Sequence, residues 1–113
     1  MAEVAGWIWQ HNLRSLLELL SHYVGYDFDG TDWDTVAPAM EETDDERADG
    51  WYSYPLVGDT LEVEVRLARS VGGEEVSVTV RGIATAELEL RTDTLLAAFA
   101  QGCARAGTGA SPA

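Results

Sequence analysis

Residues 51–81 read WYSYPLVGDTLEVEVRLARSVGGEEVSVTVR, and the fold turns on this stretch. It divides into Trp51 to Val57, Thr60 to Ser70 and Glu75 to Arg81, each rich in β-branched and aromatic residues. Gly58-Asp59 and Gly72-Gly73 separate the three segments, and both dipeptides suit two-residue hairpin loops. The spacing therefore predicts a meander of three antiparallel strands. With loops of that length Val57 falls opposite Thr60, which sets Leu56, Tyr54 and Tyr52 against Leu61, Val63 and Val65. The second loop sets Val65 and Leu67 against Val80 and Val78. Both hairpins thus send their apolar residues to one shared face. A one-residue slip would turn every side chain over, so this agreement supports the register.

The other face of the sheet is expected to be wet. On it the same register places Trp51 opposite Arg66, Ser53 opposite Glu64 and Pro55 opposite Glu62, with Arg81 beside Glu64. A Trp beside an Arg on such a face forms a cation–π pair or a binding hot spot. Alternatively, the acidic connector or the N-terminus covers Trp51 and makes it peripheral core.

Before the meander, Trp9, Leu13, Leu16, Leu17, Leu20, Tyr23 and Val24 keep the three-and-four spacing of one helical face, and Gly25 stops it. Trp7 and Ile8 extend that helix or staple its start. A second helix is expected over residues 33 to 45, capped by Asp32 or Thr31, with Trp33, Val36, Ala37 and Met40 inward. Pro38 lies inside it and is comfortable only in a first turn, which argues for a later start. Residues 41 to 50 read as a charged connector. After Gly82, Ala86, Leu88 and Leu90 alternate with Glu87 and Glu89, and a short fourth strand is favoured over a helix. Thr92 or Asp93 then caps a last helix carrying Leu95, Leu96, Phe99 and Cys103. The expected architecture is α+β: a three- to four-stranded antiparallel meander with helices on one face, in the order α-α-β-β-β-(β)-α. Its 113 residues suit a single domain over 1–105 with a structureless tail over 106–113.

Charge bounds the partners. The net charge is -13, the chain has no Lys, and ten of the twenty acidic residues lie between Asp27 and Asp49. Nucleic acid and anionic membrane surfaces are disfavoured, because phosphate binding needs clustered Lys or Arg. A basic protein is the natural complement. Asp27, Asp29, Asp32, Asp34, Asp44, Asp45 and Glu46, with Trp51 and Arg66, form the candidate partner-binding set. The commonest fate of such a charge run is nonetheless a solvated face, and mimicry of nucleic-acid phosphates is the least favoured of its readings.

No cofactor, metal or catalytic signature is legible. The four aspartates around Gly30 suggest calcium, but Gly30 comes fourth where an EF-hand loop needs its Gly sixth, and Pro38 takes the twelfth position. His11 and His22 are eleven residues apart on a helix, too far to share a metal. Cys103 is the only cysteine, which excludes an internal disulfide and reads as a small buried hydrophobe. With neither a basic leader nor a long apolar run, the expected compartment is the cytoplasm.

Small acidic domains without catalytic equipment are the form that immunity proteins and antitoxins often take. The helix, three-strand meander, helix order also looks like the layout of type III secretion chaperones and YbjN-like domains. These resemblances imply a non-enzymatic protein-binding module. A ligand-binding domain or enzyme with a pocket between helices and sheet, lined by Tyr52, Tyr54, Tyr23 and Trp33, is the alternative, and a structural domain that binds nothing is a third. An exposed sheet edge would also allow a homodimer.

Overall fold

The computed structural model describes residues 2–43, 50–59, 61–70 and 74–100. Strand β1 (Ala2–Trp9) leads through a short 3-10 turn (Gln10–Asn12) into helices α1 (Leu13–Val24) and α2 (Gly30–Glu41). Strands β2 (Tyr52–Val57), β3 (Glu62–Arg69) and β4 (Glu75–Ile83) follow, and helix α3 (Ala86–Ala100) ends the described chain. The fold is α+β, one antiparallel sheet in the order β1-β4-β3-β2 with the helices packed on one face.

The fourth strand exists, but it comes from the opposite end of the chain to the one expected. Residues 2–9 pair with β4, Ile8 against Val76 and Val4 against Val80, instead of stapling a helix. Val4 and Ile8 are buried while Glu3 and Ala5 are exposed, which is strand alternation. Residues 86–90, expected as a strand, are the start of α3. Thr85 caps it, its Oγ1 accepting from the Leu88 amide at 3.1 Å. Glu87 and Glu89 sit in the first turn, where the helix dipole favours acid, and Leu88, Thr92, Leu95 and Leu96 form the buried stripe. The apparent alternation does not share one face: Leu88 is 3% exposed and Leu90 67%.

The second hairpin has the expected register, Val65 against Val80 and Leu67 against Val78. Its bend, residues 71–73, lies outside the described residues. In the first hairpin Leu56 meets Val63, Tyr54 meets Val65 and Tyr52 meets Leu67, two residues beyond the expected partners. Gly58 donates to the Leu61 carbonyl at 2.8 Å, so the closing pair is Gly58 with Leu61 and the bend falls one residue later. An even shift keeps every side chain on its face, and the apolar layer survives it.

Closure at Gly58 also fixes the free edge of β2. Hydrogen-bonded and open pairs alternate along an antiparallel ladder. Leu56, Tyr54 and Tyr52 therefore bond toward β3, while residues 53, 55 and 57 point their amides outward. Pro55 removes the middle donor of that row. The edge is thereby blunted against a further strand, which argues against a homodimer built by extending the sheet at β2.

Helix α1 supplies the centre of the core with Leu13, Leu16, Leu17, Leu20 and Val24, all buried. Gly25, at φ 85°, caps it in the left-handed conformation that its lack of a Cβ allows. Helix α2 starts earlier than expected and runs through Pro38. Asp29 is its N-cap and Asp32 completes a reciprocal capping box, while Val36 and Met40 anchor the inner side. That anchoring outweighs the single donor missing at the exposed Pro38. Thr43 pins the far end: its Oγ1 accepts from the Arg69 amide at 2.8 Å and donates to the Met40 carbonyl at 2.7 Å.

Candidate functional site

Two surfaces emerge on opposite faces of the edge strand β2. The first is the sheet face turned away from the helices. The Arg66 guanidinium lies over the Trp51 ring at 5.0 Å, so the expected pair is present. It arises differently, because Arg66 stands opposite Ser53 and reaches Trp51 diagonally. Tyr52 pairs with Leu67, so Trp51, one residue earlier, falls in line with Ala68. Ala68 pairs with Ser77, and Ser77 with Trp7 of β1. Two partly buried tryptophans thus terminate one row across four strands, about 14 Å between backbones, with two small residues between them.

This half of the face is not wet, contrary to expectation. Ala68 is 0% and Ser77 8% exposed, although neither points at the helices. The other half is solvated: Glu62, Glu64 and Arg81 are exposed, and Arg81 bridges Glu3 at 3.2 Å and Glu64 at 3.7 Å. Exposed pairs of this kind contribute little to stability. Trp7 was missed because its segment was read as part of a helix. The Val4, Gly6, Ile8 alternation was the signal, over too few residues to outweigh the helical spacing that begins at Trp9.

The second surface lies on the inner side of β2, against the start of α2. Here Tyr26, Phe28, Asp32, Tyr52 and Tyr54 line a cleft of about 280 Å³. The Asp29 side chain accepts from the Thr31 and Asp32 amides at 2.9 and 3.0 Å. Asp32 accepts from the Tyr26 hydroxyl at 2.6 Å and from the Asp29 amide at 3.0 Å. These donors hold the Asp32 carboxyl below its ordinary range, the Tyr26 hydroxyl first and the Asp29 amide second. The same bond pushes Tyr26 up, with burial and the charges of Asp32, Asp29 and Asp27 adding to it. Burial, then Tyr52 and Asp32, push Tyr54 up.

A group with a lowered folded pKa contributes stability that is present above its unfolded pKa and lost as pH falls through the folded one. The start of α2 should therefore loosen below about pH 4. Asp29→Ala should cost about 1 kcal/mol at neutral pH. Asp32→Asn should flatten the acid limb of a thermal-melt series between about pH 2 and 6. An unchanged acid limb in that variant would remove Asp32 from the account.

Asp27 and Asp34 are exposed, and Asp29 and Asp32 are occupied in capping α2. Asp44, Asp45 and Glu46 lie outside the described residues, as does Cys103. Of the four residues expected to line a pocket, Tyr52 and Tyr54 do so, joined by Tyr26 and Phe28. Tyr23 packs beneath Arg91 at 5.7 Å, and Trp33 faces a separate groove with Trp9, His11 and Met40. Among the described residues no three His, Cys, Asp or Glu are grouped to hold a metal ion, and no helix is long and apolar enough to cross a membrane.

Comparison with protein-family models, curated proteins and solved structures gives no match. Among the described residues a strand, β1, precedes the first helix, an element absent from the expected helix, meander, helix order. What the structure defines is the class, a small α+β domain with a four-stranded antiparallel sheet.

Proposed function

We propose that this chain is a non-enzymatic protein-binding module that engages a basic partner. The observation that supports it most is the disposition of charge. Among the described residues no arginine forms an ion pair with the acidic segment: Arg14 pairs with Glu18, Arg66 lies over Trp51, Arg69 donates to the Thr43 carbonyl, Arg81 pairs with Glu3 and Glu64, and Arg91 pairs with Glu87. Among the described residues no ion pair neutralises Asp27, Asp29, Asp32, Asp34, Glu41 or Glu42. A field left uncompensated in this way accelerates encounter with a positively charged protein and selects against acidic ones. The Trp51 and Arg66 pair adds the residue types that dominate binding energy at interfaces.

The test is affinity capture at about 50 mM and about 300 mM salt, spanning the range over which screening shortens appreciably. Wild type is compared with a variant carrying Trp51→Ala and the amide replacements Asp27→Asn and Asp34→Asn. A basic protein recovered by wild type, lost at the higher salt and lost by the variant is the expected result. Recovery of the same proteins by both forms would overturn the proposed surface.

A further inference from the structure

We propose that the outer edge of β1 takes up an extended segment of a basic partner protein as a further strand, with an arginine or lysine of that segment lying in the groove between β1 and α3. The surface is at the opposite edge of the sheet from β2 and Trp51. It rests on the protein-binding reading for the basic character of the partner alone.

The phase of the ladder decides which groups β1 offers. The Gln10 amide donates to the Glu74 carbonyl at 2.8 Å, and Gln10 with Glu74 continues the register of Trp9 with Glu75. Hydrogen-bonded and open pairs alternate, so Ile8, Gly6 and Val4 bond toward β4, while Glu3 and Ala5 turn their N–H and C=O groups outward. Both residues are exposed, and among the described residues neither makes a backbone hydrogen bond on that side. Pro55 interrupts the edge at β2, whereas β1 contains no proline. An open edge of this kind is a template for strand addition.

Beside this edge lies a groove of about 360 Å³, lined by Glu3, Val4 and Ala5 of β1 and by Glu89, Leu90 and Asp93 of α3. Leu90, at 67%, is the most exposed large hydrophobic side chain among the described residues. Alternate side chains of an added strand point toward α3. A long cationic side chain there lays its methylene stem on Leu90 and its charge beside Glu89 and Asp93. Neither of these carboxylates has an ion pair among the described residues, and no arginine or histidine lines the groove. A second copy of this chain suits the edge poorly. Two-fold pairing of β1 with β1 would bring Glu3, Glu89 and Asp93 of one copy close to the same three of the other.

The probe is the blocked peptide acetyl-Thr-Arg-Thr-Arg-Thr-Arg-Thr-amide, titrated into the purified chain at about 50 mM salt. Its citrulline counterpart keeps the shape and loses the charge. A form N-methylated at the three central residues keeps the charge and loses the strand donors. The readouts are the hydrogen-exchange rate of the Ala5 amide and the methyl resonances of Leu90. Saturable binding is expected at a dissociation constant of about 1 mM or tighter, with exchange at Ala5 at least about tenfold slower in the bound state and both other peptides at least about tenfold weaker. Glu89→Gln combined with Asp93→Asn, both at exposed positions, should weaken the arginine peptide about fivefold. The variant carrying Trp51→Ala, Asp27→Asn and Asp34→Asn should bind it like wild type, so failure here is distinguishable from failure of the capture experiment. No saturation by about 10 mM peptide, equal binding of the citrulline or N-methylated form, or unchanged exchange at Ala5 would each overturn the proposal. Slowing at Ala5 that grows with protein concentration in the absence of peptide would assign the edge to a second copy and overturn it likewise.

Discussion

Gly58→Ala is expected to destabilise the protein by at least about 3 kcal/mol, at the upper end of what forced packing costs. A Cβ at this position would lie 1.6 Å from the Val24 carbonyl oxygen, 2.4 Å from the Val24 carbonyl carbon and 3.0 Å from the Gly25 carbonyl carbon. All three are backbone atoms at the end of α1, so no side-chain rotation relieves the clash. Gly58 does not have a positive φ, and the requirement is therefore for space alone. Either the β2–β3 turn lifts from α1 or the last helical turn unwinds, and both routes expose Val24 and Leu56, now 1% and 3% exposed. For a domain of this size the loss corresponds to a fall in Tm of more than about 10 °C. Gly82→Ala is the control. Gly82 has φ 77° but nothing within 4 Å of a built Cβ, so only the conformational cost of about 1–2 kcal/mol applies. A Gly58→Ala melt close to that of wild type would show that the turn is not seated on α1.

Ile8→Ala should lose about 2–5 kcal/mol in urea unfolding, the range for emptying a fully buried aliphatic site. Ile8 is 0% exposed and sits opposite Val76, itself 0% exposed, where β1 closes against β4. The same truncation would cost under about 1 kcal/mol if the residue merely stapled a helix start. The measurement therefore separates the two placements of the N-terminal segment. A loss below about 1 kcal/mol would remove β1 from the sheet.

The difference between those placements shows what the amino-acid sequence made legible. The meander could be read because two hairpins independently sent Tyr52, Tyr54, Leu56, Val65, Leu67, Val78 and Val80 to one face. Helix α1 could be read because Leu13, Leu16, Leu17 and Leu20 repeat over several turns and Gly25 ends them. The position of the first bend was misread because Gly58 looked like a turn glycine, whereas it is held by its closeness to Val24, a contact distant in sequence. Residues 86–90 satisfied a two-residue period by coincidence. The decisive signal was Thr85, whose cap on Leu88 starts a helix. At the candidate site, Trp51 with Arg66 was legible and survived a two-residue register error because a diagonal neighbour remains within reach of a long side chain. Trp7 and the partnership of Tyr26 with Asp32 depend on which strand or loop lies beside which, and local pattern carries no such information.

The pairing of β1 with β4 also sets an order of events in time. Trp9 finds its partner at Glu75 and Ala2 at Ile83, so β1 has no partner strand until some 66 residues after it have left the ribosome. At about 5–20 residues per second that interval lasts several seconds. During it Ile8 and the leucines of α1 have no completed layer to enter. The three later strands can zip locally, while closure of the sheet must recruit β1 through the pairing most distant in sequence among the described strands. Long-range contacts of this kind slow folding, so the rate of maturation should depend more on residues 2–9 than on any hairpin.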